Sequence, residues 1–567
     1  MTGTGHTFQS HIALRLEREP DGRALAFVDG DGRPAWRSFR EYHDAAARCA
    51  SVLHEKGLRE GDVCVLVLSS NEFCANALLG ILLVGAIPIL VAPPVVGGLH
   101  SNLAQVVDHV IRTTSARMAI IGEAGRSLEG KLNPLRKTKI LFGEDCLDGG
   151  DAAAVPLARP ATDSIVAMQL TSGTTGFPRV CVWRQQGVLA ALDGMEQAMA
   201  LSPEDICVNW TPLYHDMGLV NNLFLCLIKR VPLVMLDTLQ FVRKPAMWLR
   251  TLSTAGGTVA WSPNFGFALA AHRIRDQELD GVRLDHVRGF WCAAERIHLD
   301  TMRQFMDRFA PYGVRPSAMK TNFGCAENVG GATFSDANGD FVFEHIDRRA
   351  FFERGVARPV PEASNDTLSV VGVGRPYPGM RIDILSRTGR PLPDGHVGEI
   401  GLVTPSRMNG YLRNSSETKR ALYGRYLRTG DFGYKRGNEI FWTGRVRERI
   451  NIHGNKYDPS DFEPVLLGVP GLREGCFAAF GIDDGQSGTQ KPVVVAEVRK
   501  SAREERERIV QGIRQEIVSK LGVTVNEVLL LPEGSMSKTS SGKRRHRYYK
   551  ELYLAGELQA LSRSLGA

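Results

Sequence analysis

The sequence predicts an α/β protein, and three observations carry that reading. Amphipathic helical stretches alternate with short apolar runs along roughly the first 370 residues. Runs such as Asp62 to Ser69 (DVCVLVLS) lack polar alternation, as strands buried on both faces of a parallel sheet do. The 59 glycines and 28 prolines punctuate the chain without low complexity, so the turns are many and the elements short.

Taken in order, Ser38 to Gly57 reads as a helix. Phe39, Tyr42, Ala46, Cys49 and Leu53 share one face, Ser38 and Glu41 form a capping box, and Gly57 supplies the stop. The strand Asp62 to Ser69 follows. Ala77 to Ala92 is the most apolar stretch, but Pro88 interrupts it. It is also short of the roughly 20 residues that a bilayer span needs, so it reads as a buried helix and then a strand, Ile89 to Val91. Asp145 to Thr162 reads as a loop, and Pro232 to Asp237 as another strand. Beyond residue 370 the style changes to short runs, MRIDIL, EIGLV and EIFWTG, between glycine turns, which predicts a smaller β-rich region. After Arg445 a compact α+β unit is expected. Its helix, Arg503 to Leu521, turns Ile509, Val510, Ile513 and Ile517 inward and stops at Gly522, and the strand VNEVLLL comes next.

Composition narrows the function classes. At 567 residues, 43% hydrophobic and 23% charged, the chain has globular values. Lys and Arg total 69 against 62 Asp and Glu, a net charge of +7. Lys538, Lys543, Arg544, Arg545, Arg547 and Lys550 crowd into one acid-free stretch, which leaves the rest nearly neutral. A general nucleic-acid surface is not supported, and the basic stretch reads either as a solvated face or as a patch for an acidic partner. The ten cysteines form no Cys-x-x-Cys pair and no cluster with histidine, the pattern of reduced thiols in a cytoplasmic protein. The first residues lack a secretory signal pattern.

The sharpest local signal is LTSGTTGFPRV, Leu170 to Val180. A strand, Ser164 to Leu170, runs into Thr171, Ser172, Gly173, Thr174, Thr175 and Gly176. Small residues let backbone N–H groups approach an anion, the hydroxyls add donors for phosphate oxygens, and Arg179 brings positive charge. No Gly-Lys-Ser/Thr follows, so this is not a Walker loop. Taken alone, the loop reads equally well as a flexible turn.

The loop resembles the phosphate loop of the adenylate-forming superfamily, which includes acyl-CoA synthetases, luciferases and peptide-synthetase adenylation domains. Further similar motifs follow in order: WTPLYHDMGLV (Trp210 to Val220), WCAAERI (Trp291 to Ile297), TNFGCAENVGG (Thr321 to Gly331), the run Tyr426 to Glu463, and SKTSSGKRRHRYYK (Ser537 to Lys550). Within the superfamily the chain is most similar to fatty acyl-AMP ligases, through LYHDMGL, SPNFGFAL (Ser262 to Leu269) and NKYDPSDFE. Glu327 and Gly374 are also 47 positions apart, and the extra segment FEHIDRRAFFERGVARP resembles the extension of that branch.

The resemblance implies an architecture: two α/β subdomains and a β-rich subdomain in residues 1–444, then a small mobile α+β lid in 445–567. It also implies roles. Lys543 would be catalytic, bridging the attacking carboxylate and the α-phosphate, with His215 at the junction of acyl group and phosphate. Ala293, Ala294 and Glu295 would present backbone to the adenine, with Phe323 and Gly324 beside it. Asp431 and Arg445 would hold the ribose. Glu327 would coordinate Mg²⁺. Asp216, Asn264 and Phe265 would belong to the substrate pocket, and SPNFGFALAAH and Asn222 to Ile228 read either as an apolar tunnel or as core. The chain departs from the usual pattern in four places. Pro178-Arg179-Val180 replaces Pro-Lys-Gly, Phe323 replaces Tyr, Ala293 stands at a common Gly, and Arg445-Val446-Arg447-Glu448 stands where a Lys-Asp hinge is usual.

The implied activity is ATP-dependent conversion of a carboxylic acid, a fatty acid in this branch, to acyl-adenylate and pyrophosphate. The acyl group would then pass to an acyl carrier protein supplied in trans, with no nucleic-acid partner and no membrane span. A CoA ligase, an amino- or aryl-acid adenylating enzyme, and a non-catalytic relative that binds nucleotide or carrier remain open alternatives.

Overall fold

A computed structural model describes residues 6–94, 103–152, 157–171, 178–364, 366–445, 450–452, 455–483, 490–536, 538 and 544–564. Its fold is mixed α/β, as expected, with a large N-terminal part and a small C-terminal part.

Two mainly parallel sheets dominate the large part. Among the described residues one sheet has nine strands, with Cys207–Asn209, Leu233–Met235, Val259–Pro263, Gly289–Ala293 and Met319–Cys325 at its centre. The other has seven strands, and in it Val63–Val67 lies between Ile87–Leu90 and Met118–Ile121. Every residue of Val63–Val67 and of Gly289–Ala293 is buried, because helices cover both faces. The apolar stretch at 77–92 resolves as expected into the buried helix Glu72–Leu83, capped by the Asn71 side chain, and the strand Ile87–Leu90.

The first amphipathic helix is Phe39–Glu55, with Ser38 and Glu41 in the expected capping box. Residues 145–162 hold only a short tight turn, Asp145–Leu147, among their described positions. The β-rich region is an antiparallel sheet in which Arg381–Leu385 pairs with Gly398–Val403, and Tyr426–Arg436 pairs with Glu439–Arg445. The extra segment forms its own small sheet of Phe343–Asp347, Pro359–Val360 and Thr367–Val371, with the helix Arg348–Arg354.

In the C-terminal part, Leu472–Asp483, Gln490–Val498 and Glu527–Leu531 form one sheet. The helix predicted from Arg503 begins at Arg506, because Lys500–Glu505 forms a separate tight turn with a kink at Ala502. Ile509, Ile513 and Ile517 are buried as expected, whereas Val510 is only partly covered. Several contacts join the two parts. Arg296 pairs with Asp461, Phe352 lies 5.6 Å from Tyr457, and the Lys538 ammonium sits 6.0 Å from the Phe265 ring centre. The basic stretch makes contacts within the fold: Arg544 lies over Phe477, Arg545 over Tyr548, and Arg547 pairs with Glu551.

Candidate active site

The phosphate-loop sequence connects two strands that pair with each other. Ile165–Leu170 pairs antiparallel with Val180–Arg184, and the Thr171 N–H donates to the Arg179 carbonyl at 2.9 Å. The neck of the loop is therefore pinned by its two ends. Val180 is a buried strand residue opposite Leu170. Ser172, Gly173, Thr174, Thr175 and Gly176 lie outside the described residues, as does Lys543.

A cavity of about 370 Å³ opens beside this neck. Of the expected residues it brings together Thr171, Arg179, His215, Asp216, Ala293, Ala294, Gly324, Glu327 and Arg445, from segments far apart in sequence. Strand ends supply most of them, which is where open α/β sheets bind ligands. Ala293 closes the strand Gly289–Ala293, and Ala294 follows with φ of +71°. A left-handed alanine costs roughly 1–2 kcal/mol, and strain of this kind clusters at functional sites. Gly324 lies where Met319–Cys325 meets Gly330–Phe334. A Cβ there would come within 2.5 Å of the Gly330 carbonyl oxygen, so only glycine allows that approach.

Glu327 is fixed from three directions. The Trp183 indole donates to the Ala326 carbonyl at 2.8 Å, and the Met408 N–H donates to the Glu327 carbonyl at 2.8 Å. The Tyr411 hydroxyl donates to Glu327 Oε1 at 2.5 Å. Arg179 completes the cluster. It lies 3.6 Å from Glu327 and 3.1 Å from Glu417, with its guanidinium 4.2 Å from the Tyr411 ring centre. Its planar fork serves both carboxylates and the ring face at once, which a lysine ammonium cannot do.

His215 caps the turn Asp216–Gly218, with its Nδ1 3.1 Å from the Met217 N–H and 2.8 Å from Asp216 Oδ1. Asp431 is 2% exposed and accepts from Arg445 Nε and from the Trp442 indole, each at 3.2 Å. The hairpin register places Asp431 directly opposite Arg445.

Comparison with known proteins now decides the family: residues 12–412 match the AMP-binding enzyme family. The chain belongs to the AMP-binding enzymes. It is 28% identical to a 4-hydroxyphenylalkanoate adenylyltransferase of Mycobacterium marinum, over 96% of this chain and 91% of that protein. It is 27% identical to the long-chain-fatty-acid–AMP ligase FadD26 of Mycobacterium bovis, over 98% of each. Among solved structures, one from work on fatty acyl-adenylate ligases of E. coli and L. pneumophila superposes with a TM-score of 0.88 at 25% identity, covering 98% of each chain. McyG A-PCP, solved with phenylalanyl-adenylate, shares the fold with a TM-score of 0.87 at 21% identity, over 100% of this chain and 98% of that one. This AMP-binding enzyme is thus similar both to fatty acyl-AMP ligases and to an adenylyltransferase of another acid.

Five expected residues of this AMP-binding enzyme do not line the cavity: Glu295, Phe323, Asp431, Asn264 and Phe265. Asp431 and Phe323 stand behind its wall, Phe323 with its ring centre 6.4 Å from that of Trp442. Glu295 accepts the Phe265 N–H at 2.6 Å. Asn264 accepts the His298 N–H at 3.0 Å and donates to Thr301 at 3.4 Å, so its amide ties two helix starts together. Of the two segments read as tunnel or core, residues 222–228 pack as core, whereas in 262–272 Phe265 and Leu269 are only partly buried and His272 is exposed. Residues 222–228 are buried, and Phe267 meets Phe305 at 4.9 Å.

The sequence reading missed Gln169, Asn221, Asn322, Glu399, Tyr411, Glu417, Arg420 and Arg428, all of which line the cavity. Gln169 and Thr171 alternate at a strand end, so period two placed them on one face. Leu219–Phe224 is a π-helix, a form frequent at functional sites, and it carries Asn221. Arg428 lies inside the motif run Tyr426 to Glu463, whereas for Tyr411, Glu417 and Arg420 no local signal existed.

An acyl-adenylate ligase uses ATP, and Mg²⁺ is its usual partner. The donor set fits such an ion, since Mg²⁺ binds through one or two carboxylates plus substrate phosphates. Glu327 and, behind Arg179, Glu417 supply hard oxygens at the cavity wall. Among the described residues no cluster of three or more acidic, His or Cys side chains forms a metal cage, and no helix is long and apolar enough to cross a membrane.

Proposed function

We propose that the chain joins a fatty acid to ATP, forming acyl-adenylate and pyrophosphate, and then passes the acyl group to an acyl carrier protein. One observation carries this reading. The neck of the phosphate loop, the Ala293–Ala294 strand end, His215, Glu327 and Arg445 converge on one cavity. In the first step a carboxylate oxygen attacks the α-phosphorus, and the bond from that phosphorus to the bridging oxygen breaks. Both reactants are anionic, so the protein must concentrate positive charge and N–H donors where charge develops.

The residues divide that work. Thr171 and Arg179, with Ser172 to Gly176, bind the β- and γ-phosphates. Ala293, Ala294 and Gly324 present backbone to the adenine, and Phe323 and Glu295 support that wall. Asp431 and Arg445 hold the ribose, Asp431 as acceptor for hydroxyls. His215, oriented by Asp216, stands between carboxylate and phosphate. Glu327 would hold Mg²⁺, which screens phosphate charge when bound. Residues 445–567 act as a lid, and Lys543 brings an ammonium to the carboxylate and α-phosphate. The sheet and helix of residues 343–371 support delivery to a carrier thiol, as the element that resembles the extension of acyl-AMP ligases.

The test is pyrophosphate release over a panel of acids, with products resolved by mass. Each acid is run alone, with CoA, and with phosphopantetheinylated carrier protein. Acyl-AMP that moves to the carrier and not to CoA is the expected result. Efficient acyl-CoA formation would overturn the carrier assignment, and silence with every acid would overturn the activation itself. Lys543→Ala should lose most adenylate formation while ATP binding stays near normal; a near-normal rate would remove Lys543 from the chemistry.

A further inference from the structure

This inference deepens the acid-activating reading and rests on its assignment of residues 445–567 as a lid. Ala293 and Ala294 line the cavity, and Glu295 and Arg296, which follow them, do not. Arg296 reaches the C-terminal part instead. Its Nη1 pairs with Asp461 and lies 3.4 Å from Ser460 Oγ. Both charged side chains are largely covered, at 13% and 12% exposure.

The sequence builds the turn that receives Arg296. Asp458-Pro459-Ser460-Asp461 forms a capping box, with Pro459 setting its first helical position. Asp458 Oδ1 accepts the Ser460 N–H at 2.9 Å, and Asp461 Oδ2 accepts the Asp458 N–H at 2.8 Å. Asp461 thus turns Oδ2 to its own turn and Oδ1 to Arg296. Asp458 meets the opposite wall. It packs on Gly444, whose φ is +127°, so closely that a Cβ there would overlap its carboxylate. Gly444 precedes Arg445, which lines the cavity and stands opposite Asp431. One turn of the lid is therefore seated between the strand ends that take adenine and ribose in that reading. Burial and the nearby Asp461 push the Asp458 carboxyl up, and Arg296 pulls it back down, so the guanidinium lets two carboxylates share this seat. The same arrangement brings the Lys538 ammonium to 6.0 Å from the Phe265 ring centre, and Lys543 follows five residues later in the sequence.

We infer that Arg296 is a positioning residue for the activation step: through Asp461 it docks the lid across the two nucleotide walls and so governs delivery of Lys543. Removing one partner of a covered ion pair leaves the other charge uncompensated, here beside a second carboxylate. The docked fraction then falls, and the rate falls with it. ATP binding, made by the walls of the cavity, is kept.

The experiment uses the full chain with ATP, Mg²⁺ and the best of hexanoate, dodecanoate and hexadecanoate. Pyrophosphate release gives kcat, and calorimetric titration gives ATP affinity. Arg296→Gln and Asp461→Asn should each lower kcat about tenfold or more, while ATP affinity, which also reports folded protein, stays within about twofold. The double variant should lose no more than either single one, because each has already broken the same pair. Arg296→Lys keeps a cation in reach and should retain most of the rate. An unchanged kcat in the single variants, or losses that multiply in the double variant, would overturn the inference. An ATP affinity that falls as far as kcat would make Arg296 part of the nucleotide site and overturn it too. Lys543→Ala, run beside them, separates the two readings. If that variant is slow and the Arg296 variants are not, this inference alone fails. If it keeps a near-normal rate, the lid reading fails and takes this inference with it. Silence of the unaltered chain with all three acids would overturn the fatty-acid activation on which both rest.

Discussion

Arg179 and Glu417 are 238 residues apart in sequence and 3.1 Å apart in the structure. Glu417 holds the guanidinium over Tyr411, and from there its other nitrogen reaches toward Glu327. The arginine that replaces the usual phosphate-loop lysine is thus built into a four-residue cluster.

Arg179→Ala should weaken the phosphate site. A hydrogen bond to a charged group is worth about 1.5–3 kcal/mol, so kcat/KM for ATP should fall roughly ten- to a hundredfold. Pyrophosphate release at varied ATP reads this directly. An unchanged KM and rate would place Arg179 in a structural role alone.

Tyr411→Phe isolates one bond of the cluster. Burial and the adjacent Glu327 carboxylate push the phenol far above its ordinary range, so its hydroxyl remains a donor at neutral pH. Removing that donor frees a Glu327 oxygen while the ring stays under Arg179. The Mg²⁺ concentration for half-maximal activity should fall roughly tenfold, as the lost bond no longer competes with the ion. A higher requirement would show that Tyr411 aligns Glu327 and does not compete.

Asp431→Ala removes an acceptor that Arg445 and Trp442 both use. ATP affinity should weaken by about tenfold or more, the scale of one lost bond to a charged group. Calorimetric titration with a non-hydrolysable ATP analogue checks it. An unchanged affinity would contradict the ribose assignment.

A pH-dependent prediction comes from Asp205, away from the cavity. Burial alone would raise its pKa, but bonds from Arg288, Thr258 and Ser202 outweigh that and hold it below the usual carboxylate range. Arg288 Nε and Nη2 lie 2.7 and 2.6 Å from its two oxygens. The folded value is depressed, so this stability is fully present above the ordinary carboxylate pKa of about 3.9 and is lost as pH falls through the folded value. Arg288→Ala should therefore cost about 3 kcal/mol at pH 7 and clearly less near pH 3. Denaturant unfolding at several pH values measures both. An equal penalty at both ends would show that the pair does not carry the effect.

Much of the fold and part of the site were legible in the sequence. The helix Phe39–Glu55 and the strand Val63–Val67 followed from periodicity and capping, because their burial patterns repeat within a few residues. The segments around Thr171, His215, Ala293 and Glu327 could be placed at one site because each is a local motif. The tertiary structure alone decided the rest. Tyr411, Glu417 and Arg420 reach the cavity through strand pairing and packing over long separations, which no short window records. The same limit applied to Asn264 and Phe265. Their motif set them near the acid, and only the fold shows that the Asn264 amide bonds to His298 and Thr301 and that Glu295 takes the Phe265 N–H. Residue type and spacing set what each segment can do, and only the distances created by folding set which of those groups meet.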